Sequence, residues 1–358
     1  MKPETLLAGV TELFRHAPAF AEKTLCVDIV ANPNAGGFRR PYYSRKRLGE
    51  LKEIVARAQA LPVRTNPVNV RLHLTERCGH AAAIVQRILD RSTSNGIDSC
   101  HIIMTAGGDG TSLETAERLT ALPEVAKDRF GLVRLPLGTG NDGSEGRDLY
   151  VALGRFLQPA VLERRAAIKV TPSEEGGAVP RYSFNIASVG LDAYVAEMTN
   201  RLKRRFPGDS YKFWVNVATL FYDRVYRVEP MRMRAWDADG NEVLAREGAT
   251  LLVAMGASGF RQYGANKKIL PTADNCVVIS QTGLLRKLLL KGPIEQGRHE
   301  SIPELLHFSA SRLSIEYDQR IPLQCDGETA ELARCDFPLS MELVPRAYNI
   351  IAPAMGSS

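Results

Sequence analysis

Paired cysteines are the first thing this 358-residue chain lacks. Cys26, Cys78, Cys100, Cys276, Cys325 and Cys335 stand far apart with no C-x-x-C step, which excludes the common zinc spacings and a disulfide framework. They read as mostly buried free thiols of a reducing compartment. The six histidines show no metal-ligand spacing and receive no role. No apolar run reaches the ~18 residues of a transmembrane helix. The opening MKPETLLAGVTELFRHAPAF carries acids among its apolar positions and has no signal-peptide core. The expectation is a cytoplasmic protein whose membrane contact is peripheral. Strong charge is missing too: 46 basic residues against 40 acidic ones leave a net +6, too mild and too spread for a nucleic-acid partner. It does suit an anionic ligand or an anionic membrane surface.

What is present is enough apolar residue, 44%, to fill real cores. The chain exceeds the roughly 250–300 residues at which one core stops growing, so two domains are expected. Leu6, Val10 and Leu13 mark a short amphipathic helix within residues 1–20. After it, TLCVDIVA, VNVRLHL, HIIMT and GLVRL alternate with helical patterns, one of which (Ala81, Ile84, Val85, Ile88, Leu89) closes near Gly96. Glycine-rich turns follow the strands. This is the rhythm of an open α/β sheet, whose ligands bind beyond the carboxyl ends of its strands. From about residue 165 strand-like runs dominate, from AAIKVTP and RYSFNIASVG to SRLSIEY and IPLQCDG, with one helical insert near Asp192–Tyr226. The second half therefore predicts a mainly antiparallel β-sandwich. The boundaries expected are 1–165 for an α/β nucleotide-binding domain and 166–344 for the β-sandwich, with 345–358 returning to the first.

TAGGDGTSLETAE (105–117) follows the strand HIIMT and opens a helix. Thr111 and Glu114 have the T-x-x-E spacing of a capping box. Backbone N–H groups at a helix N-terminus carry partial positive charge, and Gly107, Gly108 and Gly110 let that backbone approach a phosphate closely. Read with NPNAGG (32–37), PLGTGND (136–142) and the late DGE (326–328), the turn points to one crevice able to hold a nucleoside triphosphate.

These four stretches, in this order, resemble the diacylglycerol kinase catalytic-domain family, which includes sphingosine kinases and bacterial lipid kinases. LTERCGHA (74–81) and FNIASVGLDAYVA (184–196) extend the resemblance over nearly the whole chain from Leu25 to Glu328. It implies an ATP-dependent lipid kinase with an α/β domain, a β-sandwich and an active site in the cleft between them. Carried onto matching positions, Asn32, Asn34, Gly36, Thr75, Gly107, Gly108, Asp109, Gly110 and Thr111 would contact ATP. So would Gly138, Thr139, Gly140 and Asn141. Asp109, Asp142 and Glu328 would organise Mg²⁺, and Asp326, or Glu328 with it, would accept the proton of the substrate hydroxyl. Magnesium takes few carboxylates and keeps its waters, which suits acids brought from separate loops. The chain departs from the family pattern at Gly143–Gly146 and in QYGANKKILPTADNC, where Asp274 is the nearest candidate for the structural metal site of some bacterial members.

The acceptor expected from the resemblance is diacylglycerol, a sphingoid base or a related lipid. The alternatives are a soluble acceptor, as for NAD kinases, which share GGDGT, and a catalytically silent nucleotide-binding regulator. GLLRKLLLKGP (283–293) and RLKRRFPGDSYK (201–212) combine leucines and basic residues as segments at an anionic bilayer do, and equally as a core element with a basic edge does. A homodimer is left open.

Overall fold

The computed structural model describes residues 1–92, 99–138, 146–205, 217, 220–263, 267–299 and 302–354. The chain forms two compact units, Met1–Arg165 with Arg346–Ser358, and Ala166–Pro345.

In the first unit, helix α1 (Pro3–His16) starts with proline, whose missing N–H costs nothing at a helix start, and buries Leu6, Val10, Leu13 and Phe14. Strands β1 (Thr24–Ala31), β2 (Val68–Leu74), β3 (Ser99–Ala106) and β4 (Phe130–Arg134) are all parallel. The end of the last strand, Leu339–Pro353, joins them by pairing Ile350 with Leu132. The order is β2-β1-β3-β4-last strand. Helices α2 (Gly36–Arg39), α3 (Pro41–Gln59), α4 (His80–Ser92), α5 (Asp109–Thr120), α6 (Glu124–Lys127) and α7 (Leu149–Gly154) fill the connections. On one face Leu25, Val27 and Ile29 pack with α1, α3 and α7. Helices α4 and α5 pack together and against β1 and β3. Covered on both sides, β1 and β3 are apolar almost throughout, whereas the edge strand β2 alternates. Gly9 lets α1 meet α3: a Cβ there would fall 2.7 Å from Leu51 Cδ2.

Polar groups lie beneath α4. Asp28 is buried and accepts hydrogen bonds from His73 Nε2 at 2.7 Å and Arg91 Nη2 at 3.2 Å. His101 sits among Ser92, Ser99 and Arg129 and stacks on Phe130 with ring centroids 4.8 Å apart. Burial, with the Arg129 charge adding to it, pushes the pKa of His101 down to about 4.

The second unit contains β5 (Ala160–Thr171, entering from the first unit), β6 (Arg181–Ser183), β7 (Ile186–Gly190), β8 (Pro230–Trp236), β9 (Glu242–Gly256), β10 (Arg261–Tyr263) and β11 (Lys267–Leu270). It continues with β12 (Cys276–Ser280), β13 (Leu305–Phe308), β14 (Arg312–Glu316), β15 (Ile321–Cys325), β16 (Glu328–Leu332) and the start of the last strand, β17. Its pairings are antiparallel. One sheet runs β17-β14-β8-β9 and the other β16-β15-β7-β9-β12-β13. Strand β9 serves both, pairing β8 with its first half and β7 and β12 with its second.

Met231, Met233, Leu313, Ile315, Val253 and Leu323 fill the core between the sheets, and β8 shows the strict alternation of a strand with one face inward. The other face of the second sheet is also covered. Tyr194 of α8 (Leu191–Arg205), Tyr222 of α9 (Tyr222–Val225) and Leu290 of α10 (Leu284–Gln296) cluster with Leu252, Val277 and Ile279. β7 and β15 are consequently buried at every position. The expected helical insert corresponds to α8 and α9, whereas Gly96 and the basic stretch beyond Arg205 lie outside the described residues.

None of the six cysteines forms a disulfide. Cys26, Cys100, Cys276 and Cys325 are buried, and burial pushes the Cys100 and Cys276 thiols up to about 12, so neither is a nucleophile at neutral pH.

Candidate functional site

In the first unit the chain leaves β1 for β2 on one side and β3 lies on the other, so the carboxyl ends of β1 and β3 form a topological switch point. Four strand-end loops are tied together there. Asn32 N donates to Ala106 O (3.0 Å), Thr75 N to Ala31 O (2.9 Å), Leu135 N to Thr105 O (2.8 Å) and Gly37 N to Leu137 O (2.9 Å). The loops after β1, β2 and β3 surround an opening of about 320 Å³, lined by the expected Asn32, Asn34, Thr75, Gly108, Gly110 and Thr111. Asn32 Oδ1 accepts the Asn34 N–H at 2.9 Å, an Asx turn that shapes the NPN bend.

The two glycines before α5 do different work. At Gly107 a Cβ would meet Thr111 Oγ1 at 2.5 Å, so the strand end and first helical turn can approach only without a side chain. At Gly108 nothing lies within 4 Å of a Cβ, and the space belongs to the opening. Gly108 is the N-cap of α5 and supplies no side-chain oxygen to the first turn.

The expected Thr111–Glu114 capping box is therefore corrected. The helix begins at Asp109, which puts Thr111 inside it. Glu114 instead leaves its own helix and caps another: Oε1 accepts Gly79 N at 2.8 Å and Oε2 accepts Ala82 N at 3.3 Å, at the start of α4. A carboxylate thus fills the positive end of α4, while the end of α5 has no side-chain cap and faces the opening. Glu114, read from sequence only as a cap, lines the opening with Glu76, Arg77 and Cys78, which were given no role there. The TERCGHA stretch held the signal for three of them.

Gly36 begins α2 and, with Gly138, Arg40, Tyr43 and Arg47, lines a smaller recess. Arg47 is buried; it donates to Glu50 Oε2 at 2.8 Å and to Arg147 O at 3.0 Å. Glu50 Oε2 also accepts Leu149 N at 3.0 Å, so this pair fastens α3 to the chain entering α7. Thr139, Gly140, Asn141 and Asp142 lie outside the described residues. Asp109, the first residue of α5, is half-buried between the two opening-lining glycines.

In the second unit Asp326 and Gly327 form the two-residue turn of the β15–β16 hairpin, across which Cys325 pairs with Glu328. Both have left-handed φ, +50° and +89°, as a type I′ turn requires. The turn is pinned: Asp326 N donates to Ile186 O (3.2 Å), Gly327 N to Gln324 Oε1 (2.9 Å) and Asn200 Nδ2 to Gly327 O (3.0 Å). The Asp326 carboxylate folds back onto the bend between β6 and β7. It accepts from Ser183 Oγ (2.6 Å), Phe184 N (2.6 Å), Asn185 N (2.9 Å) and Ile186 N (3.1 Å). Glu328 is exposed. Sequence reading found the FNIASVG stretch without giving these residues a role.

Among the described residues no three His, Cys, Asp or Glu side chains converge as a metal cage. Asp274 Oδ1 accepts from Ser309 Oγ at 2.7 Å. The donor set, a half-buried Asp109 beside an open backbone turn, fits a magnesium ion that arrives with a triphosphate and keeps its waters, not an all-protein site. Of the leucine-rich segment on α10, Leu290 is 4% exposed and belongs to a core cluster, whereas Leu289 is 68% exposed. No helix among the described residues is long and apolar enough to cross a membrane.

The fold and its glycine-lined switch point define a nucleotide-site α/β unit joined to a β-sandwich. The diacylglycerol kinase catalytic domain matches residues 28–158, and the YegS C-terminal NAD kinase beta sandwich-like domain matches 185–352. The chain thus carries a diacylglycerol kinase catalytic domain followed by a YegS-type C-terminal domain. A "Probable lipid kinase YegS-like" of Pectobacterium atrosepticum is 25% identical over 311 residues, 85% of this chain and 91% of that protein. One of the same description from an Enterobacter species is 25% identical over 300 residues, covering 81% and 89%. A diacylglycerol kinase structure from Bacillus anthracis str. Sterne covers 92% of this chain and 97% of its own, with a TM-score of 0.56 and 18% identity, a likeness of fold. Over most of its length the chain is thus similar to proteins described as probable lipid kinases.

Proposed function

We propose that the protein transfers the γ-phosphate of ATP to a hydroxyl of diacylglycerol, a sphingoid base or a related lipid, with Mg²⁺. The observation that carries the nucleotide half is the start of α5. A helix end without a side-chain cap opens into a concave site at the sheet's switch point, between Asn32 and Thr75. Backbone N–H groups of residues 108–111 bind the phosphates, and Gly108 leaves the path clear. Asp109 holds the metal, together with Asp142 and Glu328 as the resemblance implies; the ion, when bound, neutralises charge on the phosphates. Phosphoryl transfer depends on positioning and charge neutralisation, so the protein's share is to hold the triphosphate and supply a fixed proton acceptor. Asp326 is that acceptor, held in a pinned turn.

The lipid acceptor is supported by the matched catalytic domain and by the likeness to probable lipid kinases. Transfer of labelled phosphate from ATP to a panel of dispersed lipids and soluble alcohols, NAD among them, tests the reading. Label appearing in a lipid supports it. Label in NAD alone, or in no acceptor while ATP binds, overturns it in favour of a soluble-acceptor kinase or a silent binder.

A further inference from the structure

The two oxygens of Asp326 are not equivalent. Oδ1 accepts three hydrogen bonds, from Ser183 Oγ, Asn185 N and Ile186 N, more than its two lone pairs accommodate singly. Oδ2 accepts one among the described residues, from Phe184 N. Exchanging the two oxygens by rotation would break all four bonds, and the backbone on which the carboxylate stands is fixed by Ile186 O, Gln324 and Asn200. Three of the four donors are main-chain N–H groups. The fourth, the hydroxyl of Ser183, is on a fully buried side chain and makes one of the shortest contacts, 2.6 Å.

We infer that Ser183 is a positioning residue: with the Asn185 and Ile186 N–H groups it saturates Oδ1, and this leaves Oδ2 as the oxygen that takes the substrate proton. The inference rests on the reading of Asp326 as proton acceptor. In the step it serves, a lone pair of the acceptor hydroxyl forms a bond to the γ-phosphorus. The bond from that phosphorus to the β–γ bridging oxygen breaks, and its electrons leave with ADP. The hydroxyl proton passes to Oδ2 and then to water.

The test is the split between kcat and KM with ATP and diacylglycerol in mixed micelles. Removing one charge-assisted donor in Ser183→Ala lowers kcat about tenfold with KM for ATP and for the lipid within about twofold, and Ser183→Thr, which keeps the hydroxyl, recovers most of the loss. Ser92→Ala is the control. That serine is also buried, but it donates to Ile88 O (2.7 Å) in the α/β unit and touches nothing that holds Asp326, so its loss lowers stability without changing kcat. Should Ser183→Ala fail to fold, Ser183→Cys carries the same test with nearly the same volume and a weaker donor. A wild-type kcat in the folded Ser183 variant overturns the inference, even where Asp326→Asn is inactive and the proton-acceptor reading stands. An Asp326→Asn variant with wild-type turnover overturns that reading itself.

Discussion

The turn at Gly107–Thr111 and the turn at Asp326–Gly327 use the same chemistry in opposite senses. In the first, main-chain N–H groups at the start of α5 border open space, and the residue that fronts them, Gly108, has no neighbour within 4 Å of where a side chain would begin. In the second, main-chain N–H groups of Phe184, Asn185 and Ile186 already hold an anion, the carboxylate of Asp326. The donors of one region face an opening, and those of the other face a carboxylate of the same chain. A nucleotide-binding loop must leave donors free, whereas a proton acceptor must be fixed in place before substrate arrives.

The largest test of this contrast is Asp326→Asn, which keeps one acceptor oxygen for Ser183, Asn185 and Ile186 but removes the proposed base. We expect kcat to fall about 10²–10⁴-fold, while ATP affinity measured by calorimetry stays within about twofold. A parallel loss of ATP binding in a folded variant would erase the distinction between the turns. Next is Gly108→Val, which should keep a wild-type melting temperature and weaken ATP binding about 10–100-fold, equivalent to roughly 1.4–2.7 kcal/mol. Gly107→Ala should behave differently, because its Cβ strikes Thr111. A stability loss of about 1–3 kcal/mol in denaturant titration is expected. Equal melting temperatures for the two glycine variants would contradict the assignment of open space to one and close packing to the other.

Glu114→Ala is the milder probe. Losing the cap of α4 should cost about 0.5–2 kcal/mol, with faster hydrogen exchange confined to the first turn of α4. At neutral pH the smallest effect is that of His101, which is buried and neutral with its pKa near 4. The unfolded chain takes up the proton at about 6.5, so the stability this group contributes is complete above that pH and is lost as pH falls toward 4. Melting curves at pH 7 and 4.5 should show a smaller acid drop for His101→Gln than for the wild type. The loss should appear first in the α/β unit, which holds His101, and not in the β-sandwich.

Much of the fold was legible because its signals are local. Continuous apolar runs such as HIIMT mark strands covered on both faces, and DG between two runs marks a hairpin. Asn32, Thr75, Gly108, Gly110 and Thr111 were found from the same stretches and gather at one opening. Glu114 was misassigned because T-x-x-E spacing cannot tell whether the helix begins at the threonine or two residues earlier. The β7 and β15 runs looked like ordinary sandwich strands, and their second buried face became visible only with α8–α10 laid over it.

By itself the sequence determined where the backbone must bend and which residues could carry charge, since glycine conformational freedom, hydrophobic period and side-chain type are properties of short stretches. The tertiary structure decided what those charges touch. Asp326 meets Ser183 across 143 positions and Ile186 across 140, and Glu114 reaches Gly79 across 35. A carboxylate aimed at solvent and one saturated by buried donors are written with the same letter. Only packing, which selects the donors that lose water, separates them.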